Sequence, residues 1–164
     1  MKSQVLNIED VPFEKRSHGE SFECEIARVG AQLDSKMLGF NVTVVPPGKR
    51  AFPYHAHRGN EEMFFILEGE GSLRVGGTTR AVRKGDFISL PPGRESAHQI
   101  INDSKAPLRY LAVSTMELPE VVEYPDSGKL GVIAGAHGGR PPSADSVRHF
   151  THLKDGVDYW EGER

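Results

Sequence analysis

The sequence predicts one all-β domain, a double-sheet jelly roll, followed by an irregular C-terminal extension. Two observations predict this fold class. The chain contains 18 glycines and 11 prolines, which mostly separate short apolar segments, and such punctuation is typical of all-β sandwiches and barrels. Residues 22–115 show no helical periodicity, and eight or more short strands at this spacing favour a closed barrel with few exposed edges.

Nine segments show the alternation or the apolar runs that are typical of strands. They are residues 22–33, 38–45, 50–57, 62–68, 72–75, 78–82, 87–90, 96–101 and 108–115. Pro53 places the third segment at an edge or at the mouth of the barrel, because proline cannot donate to a sheet ladder. The Gly76-Gly77 pair predicts a two-residue hairpin turn.

The two ends of the chain differ from this pattern. We divide the sequence into an arm at residues 1–20, a barrel at 21–117 and an extension at 118–164. The extension suggests a short helical turn near residues 120–123 and then a glycine- and proline-rich stretch. It carries the chain's single tryptophan, Trp160, so we expect it to pack on the barrel or on a neighbouring subunit.

Composition and charge restrict the class of protein. The chain has 164 residues, 37% of them apolar and 26% charged, as expected for one globular domain. Its net charge of −3 gives no general attraction to nucleic acid or to an anionic membrane. No apolar run is long enough for a membrane span, and the N-terminus lacks the apolar core of a signal peptide. Cys24 is the only cysteine, so no internal disulfide forms and the cytoplasm is the expected location.

Four side chains form a candidate metal site. His55 and His57 lie two residues apart, so both imidazoles point to the same side of a strand. Glu62 follows after a short turn, and His98 lies in a later strand. Neutral imidazoles with one carboxylate suit a divalent transition metal: iron, manganese, nickel, cobalt or zinc. We therefore predict that His55, His57, Glu62 and His98 bind one such ion.

Two motifs resemble those of the cupin superfamily. The first comprises Gly48, His55, His57, Glu62 and Gly69, and the second comprises Gly85, Pro91, Gly93, His98 and Asn102. Gly48 and His55 are one residue further apart than is usual in the family, and Gly93 and His98 are two residues further apart. The resemblance implies a single-domain double-stranded β-helix with one metal ion on the three histidines and one glutamate.

Glu61 competes with Glu62 for the place of the carboxylate ligand. The six-residue interval to Gly69 favours Glu62, and strand parity then places Glu62, Phe64 and Ile66 on the inner face.

Several other polar residues are candidates for the site or for the surface. Lys49, Arg50 and Arg94 flank the two motif loops and together are candidates for binding an anionic substrate, with Tyr110 as a further candidate. Four histidines lie in the arm or the extension, where we expect them at the surface. They are His18, His137, His149 and His152.

The resemblance extends to small cupins described as sugar phosphate isomerases or mannose-6-phosphate isomerase-like proteins. It implies an aldose–ketose isomerase in which the metal is a Lewis acid and Glu62 is the acid–base group. A second reading is an iron-dependent dioxygenase with an apolar pocket of Phe64, Ile66 and Phe87. A third is a non-enzymatic barrel that binds a small molecule. By resemblance we also expect a homodimer.

Overall fold

The computed structural model describes residues 4–135 and 144–164. His137, for which we expected a surface position, lies outside the described residues. Within these ranges the protein has thirteen strands, one short α-helix and three 3-10 turns, which confirms the all-β fold class. No helix in the described part of the chain has the length and the apolar composition that a membrane span needs.

The strands follow one another with short connections. They are β1 (Glu14–His18), β2 (Phe22–Ala27), β3 (Leu38–Val45), β4 (Ala56–His57), β5 (Glu62–Glu68), β6 (Glu70–Val75), β7 (Thr78–Arg83), β8 (Phe87–Leu90), β9 (His98–Ile101), β10 (Leu108–Thr115), β11 (Glu120–Tyr124), β12 (Lys129–Ala134) and β13 (Val147–His152). The helix α1 is Val29–Gln32, and the 3-10 turns are Ile8–Asp10, Arg94–Ser96 and Leu153–Asp155.

Antiparallel pairing arranges these strands in three sheets. Six strands form one sheet in the order β1-β2-β3-β10-β5-β8, three form another in the order β7-β6-β9, and four form the last in the order β13-β12-β11-β4. β6 and β7 are joined by Gly76 and Gly77, which have φ values of 54° and 79°. Positive φ at both positions is what the predicted two-residue turn requires.

One apolar core connects the six-stranded and the three-stranded sheets. Its largest fully buried members include Ile66 on β5, Leu108 and Tyr110 on β10 and Val45 on β3. Leu73 and Ile100 add side chains from β6 and β9. Cys24 is 1% exposed in the same core, so the single thiol is a packing residue.

The segment predicted as one strand at residues 22–33 is divided in the structure. β2 ends at Ala27, and α1 follows directly. A Cβ at Gly30 would lie 2.9 Å from the backbone nitrogen of Phe40, so the glycine lets the helical turn pack closely against β3. The apolar alternation continues through this turn, which is why periodicity alone did not reveal it.

The described part of the C-terminal extension contains three strands, which corrects the expectation of an irregular segment, and most of its glycine- and proline-rich stretch (136–143) lies outside the described residues. Residues 120–123, where we expected a helical turn, lie in β11, and β12 and β13 continue the sheet outward. The two adjacent valines of β11 favour a strand. β11 pairs with the short strand β4, with Val122 opposite His57, so the extension contacts the segment that carries the metal-ligand candidates.

Candidate metal centre

Backbone pairing brings the two histidine motifs together. His55 donates its N–H to the carbonyl of His98 at 3.1 Å, and His98 donates to the carbonyl of His55 at 2.7 Å. The carbonyl of His57 accepts from the N–H of Gly93 at 2.8 Å. The long loop of the second motif is therefore fixed to the first motif at the point where the imidazoles lie.

Three of the four predicted ligand residues have donor atoms close enough together for one metal ion, and the fourth, His57, lies beside Glu62. One donor atom each from His55, Glu62 and His98 lies within 4.8 Å of the other two. Oε2 of Glu62 is 3.0 Å from Nε2 of His98 and 3.4 Å from Nε2 of His57. The ring centroids of His55 and His57 are 5.0 Å apart, as expected for imidazoles on one face of the chain.

Two of the three histidines have a hydrogen-bond acceptor at Nδ1, whereas Nδ1 of His57 is buried and makes no hydrogen bond within the described part of the chain. Nδ1 of His55 lies 2.8 Å from the carbonyl oxygen of Pro53, and Nδ1 of His98 lies 3.0 Å from that of Ser96. Nδ1 of His57 lies 3.6 Å from Oε1 of Glu120. A proton on Nδ1 leaves the lone pair of Nε2 free, which is the tautomer that a metal ligand needs.

The buried polar atoms that lack partners support a metal site. Among the described residues, Nε2 of His57, Nε2 of His98 and Oε2 of Glu62 are buried and make no hydrogen bond. Leaving such atoms unpaired is costly, and a divalent cation between them would satisfy all three. The donor set of imidazole nitrogens and one carboxylate fits a borderline transition metal.

Burial and charge set the protonation of these groups. Burial, together with the imidazole of His98, lowers the pKa of His55 to about 3. Burial alone would raise the pKa of Glu62, but the imidazoles of His98 and His57 lower it to about 2. Burial also opposes the charge on His57, yet the carboxylates of Glu120 and Glu62 raise its pKa. His55 and Glu62 are therefore in their metal-binding forms at neutral pH.

The structure separates the two competing carboxylates. Glu62 points toward the histidines, whereas Glu61 is exposed and donates its backbone N–H to Oγ1 of Thr115 at 3.0 Å. Phe64 and Ile66 are 5% and 0% exposed, as the strand parity predicted for the inner face.

Comparison with known proteins agrees with this geometry. Residues 41–114 match the family model described as a cupin domain. Over these residues the chain is similar to the cupin family. A curated relative, an uncharacterized protein of Methanocaldococcus jannaschii, is 37% identical over 71 residues, which are 43% of this chain and 54% of that protein. The match therefore spans about half the length of the curated relative.

Solved cupin structures share the fold over most of the chain. A candidate sugar phosphate isomerase from Acidithiobacillus ferrooxidans has a TM-score of 0.77 at 21% identity, with 94% of this chain and 96% of that chain covered. A cupin-superfamily sugar phosphate isomerase from Silicibacter pomeroyi has a TM-score of 0.77 at 21% identity, with coverages of 92% and 94%. These likenesses confirm the small-cupin fold, which our two motifs predicted.

A cavity lies beside His57 and Glu62, and His55 and His98 do not line it. Its volume is about 160 Å³. His57 and Glu62 lie at one part of its wall, and Arg28, Asn41 and Ser114 supply further polar groups. Apolar wall is added by residues of β3, α1 and the segment after β10, including Leu38, Phe40 and Met116. The cavity combines a candidate metal centre with one cationic side chain, so it suits a small polar molecule that carries a negative charge.

The substrate-binding candidates from the sequence lie elsewhere. Nζ of Lys49 donates to the backbone carbonyl of Glu20 at 2.6 Å, and Arg50 forms isolated backbone bridges to β2 and β9. Arg94 lies 3.7 Å from a carboxylate oxygen of Glu123.

Tyr110 is the remaining candidate, and it is 1% exposed in the core. Its ring lies next to Phe64, and burial raises its pKa. None of these four residues lines the cavity that includes His57 and Glu62.

Two residues near the site were missed by the sequence analysis. Arg28 follows β2 directly and carries the cation of the cavity, but we had assigned its position to the middle of a strand. Glu120 is 1% exposed beside His57, but we had assigned its segment to a helical turn. The strand-favouring Val-Val pair after Glu120 was the available signal for the second residue.

Proposed function

We propose that this protein is a metal-dependent isomerase of a small sugar or sugar phosphate, of the aldose–ketose type. The observation that carries the proposal is the cluster of unpaired buried ligand atoms, of which those of His57 and Glu62 line a small cavity that also contains Arg28. His55, His57, Glu62 and His98 would hold the metal. When bound, the metal would act as a Lewis acid on neighbouring carbonyl and hydroxyl oxygens of the sugar.

Glu62 is the group that we propose for proton transfer. Its low pKa makes it a carboxylate at neutral pH, so a carboxylate oxygen that the metal does not occupy can accept the proton from the hydroxyl-bearing carbon and return it to the former carbonyl carbon, while the hydroxyl proton passes to the former carbonyl oxygen. Such a transfer conserves all atoms of the substrate and needs no redox partner. A sugar isomerisation therefore matches a site with one ionised carboxylate on the cavity wall.

Arg28 is the group that we propose for recognition of the substrate's anion. It lines the same cavity as His57 and Glu62, and its side chain is 26% exposed. Its ion pair with the exposed Glu14 is long, with Nε 3.4 Å from Oε2, so the exchange of this partner for a phosphate is inexpensive. Guanidinium groups bind phosphate through two parallel hydrogen bonds.

The fold neighbours support the choice of substrate class without fixing it. Both solved structures described above carry the name sugar phosphate isomerase. At 21% identity they establish the fold alone, and one fold hosts many activities. The substrate therefore rests on the cavity of this chain, which pairs a candidate metal centre with Arg28.

The dioxygenase reading receives less support from the cavity. Phe64 and Ile66 are buried in the core, but Phe87 is 74% exposed and packs on Phe65 at the sheet edge. The apolar pocket that we expected from these three residues is therefore not assembled. Oxygen chemistry and simple ligand binding become outcomes of the experiment below.

The experiment is an isomerase assay on protein loaded separately with zinc, manganese, nickel, cobalt or ferrous iron. Each form is incubated with a panel of hexose and pentose phosphates in D₂O, and NMR follows the products. We expect interconversion of one aldose–ketose pair, with solvent deuterium entering at the carbon next to the carbonyl. The His98→Ala variant should be inactive, whereas His18→Ala, on exposed β1, should behave as the parent. A panel left unchanged by every metal form contradicts the proposal.

Three further expectations accompany this function and stay predictions. They are a homodimer, a small molecule rather than nucleic acid as the partner, and the reducing cytoplasm as the location. The expectation of a reducing compartment is compatible with the free, buried thiol of Cys24.

A further inference from the structure

A buried carboxylate outside the ligand set lies against the metal-site candidates. Glu120 is the first residue of β11 and is 1% exposed. Its Oε1 lies 3.6 Å from Nδ1 of His57 and accepts the backbone N–H of Arg58 at 3.3 Å. Its Oε2 is buried and has no hydrogen-bond partner among residues 4–135 and 144–164. Burying a carboxylate of which one oxygen lacks a hydrogen bond lowers the stability of the fold. Such a position therefore indicates a functional role for Glu120.

The three histidines differ at Nδ1, which has a hydrogen-bond acceptor in His55 and His98 but is buried and unpaired among the described residues in His57. For His55 and for His98, the acceptor is the backbone carbonyl two residues earlier, on Pro53 and Ser96. For His57, the carbonyl two residues earlier belongs to His55, and that oxygen already accepts the N–H of His98 at 2.7 Å. His57 therefore needs an acceptor from another part of the chain, and Glu120 lies where one is needed.

The strand that carries Glu120 is held in place from both ends. Asn60 is 1% exposed and fixes the backbone of Glu117, accepting its N–H at 2.7 Å and donating to its carbonyl at 3.1 Å. Further along, the N–H of Arg58 donates to the carbonyl of Val121 at 2.9 Å, and its guanidinium pairs with Glu123. The position of Glu120 is thus set by the backbone of β11 and does not depend on its contact with His57.

We propose that Glu120 is the positioning residue of His57, and that the C-terminal extension thereby completes the metal centre. A shortening of the 3.6 Å separation would let the Glu120 carboxylate accept the Nδ1–H of His57, which would fix the neutral tautomer and direct Nε2 toward Glu62. Such outer partners of ligand histidines are worth about 10–100-fold in metal affinity. The inference rests on the metal site of the proposed function, and it is independent of the substrate.

The test compares four proteins: the parent, Glu120→Ala, Glu120→Gln and Glu117→Ala. Glu117 is an exposed glutamate three residues earlier in the same segment, so its variant controls for a change in charge alone. Cobalt(II) affinity is measured by visible absorption with a competing chelator. We expect Glu120→Ala to weaken binding by about 10–100-fold and to alter the cobalt spectrum. Glu120→Gln keeps an acceptor oxygen and should recover part of the loss, and Glu117→Ala should match the parent.

A second measurement separates positioning from a structural role and needs no metal. Nitrogen NMR of the metal-free protein, followed upward in pH until the ring of His57 is neutral, reports which ring nitrogen of His57 carries the proton. We expect Nδ1 in the parent and a mixture of tautomers in Glu120→Ala. An unchanged tautomer, or unchanged cobalt affinity in a destabilised Glu120→Ala protein, overturns the inference. Failure of the parent to bind cobalt contradicts the proposed function, and the tautomer experiment still decides the role of Glu120.

Discussion

The backbones of His55 and His98 hold each other through two reciprocal hydrogen bonds, of 3.1 and 2.7 Å. This isolated antiparallel bridge joins the two motifs, which are about forty residues apart in the sequence. The bridge positions both imidazoles through backbone hydrogen bonds between the two motifs.

Metal addition should stabilise the folded protein. The unfolded chain lacks the assembled site, so a cation at 100 times its dissociation constant adds about 2.7 kcal/mol to the free energy of unfolding. For a chain of this size that corresponds to a rise in Tm of roughly 5–10 °C. Differential scanning calorimetry with zinc, with and without a chelator, measures it. His98→Ala should remove the zinc-dependent rise, and His18→Ala should retain it. A rise that persists in His98→Ala would place the zinc at another site.

Metal affinity should depend on pH through His57. Its pKa is raised above its ordinary value of 6.5, so the proton competes with the metal for its ring. In the metal-free protein, this proton stabilises the folded state below pH 6.5, and that contribution is lost as the pH rises through the raised pKa. Cobalt affinity instead decreases as the pH is lowered, because the proton occupies the ring of His57. It should fall about tenfold per pH unit below the pKa of His57. A competition titration from pH 8.5 to 5.5 measures the slope; a flat profile contradicts the involvement of His57.

Arg28 should determine the affinity for the substrate's anion. Arg28→Ala removes the cation of the cavity and should raise KM for the sugar phosphate, with metal content unchanged. Arg94→Ala is the matched control, because Arg94 pairs with Glu123 and does not line this cavity. A bidentate guanidinium–phosphate contact predicts a loss of about 1.5–3 kcal/mol in substrate binding, or roughly 10–100-fold in KM. Inorganic phosphate as a competitive inhibitor gives an independent measure. If Arg94→Ala raises KM more than Arg28→Ala does, the anion is bound by the turn that contains Arg94 and not by this cavity.

Gly69, the last glycine of the first motif, should resist substitution for steric reasons. Gly69 and Gly77 have nearly equal φ values of 80° and 79°. A Cβ at Gly69 would lie 2.4 Å from the carbonyl oxygen of Pro107, whereas a Cβ at Gly77 meets nothing within 4 Å. Gly77→Ala should therefore cost about 1–2 kcal/mol for the left-handed backbone alone, and Gly69→Ala about 1–3 kcal/mol more. Urea denaturation measures both, and equal losses would contradict the close approach of Pro107.

The central part of the fold was predictable because its strands carry local signals. β3, β5, β8 and β10 begin and end where the apolar patterning and the flanking turn residues predict. The alternation of side chains between the two faces of a strand also predicted that Glu62 and His98 point inward. Here local preference and tertiary burial agree, so the sequence pattern was sufficient.

The parts that were missed depend on contacts with distant segments. α1 follows a strand without a change in apolar alternation, and its close packing depends on Gly30 meeting β3. β11 is a strand because β4 and β12 pair with it on either side. The positions of Arg28 and Glu120 follow from these two elements, so their approach to the site could not be read from the residues alone.

The most direct test of the account is elemental analysis of the gently purified protein beside the His57→Ala and His18→Ala variants. The account predicts close to one transition-metal ion per chain in the parent and in His18→Ala, and a large loss in His57→Ala. Iron in that position would favour oxygen chemistry, and zinc, manganese, cobalt or nickel would favour the isomerase. No metal in the parent, and none taken up after addition of each ion, would contradict the metal centre and leave a small-ligand-binding cupin.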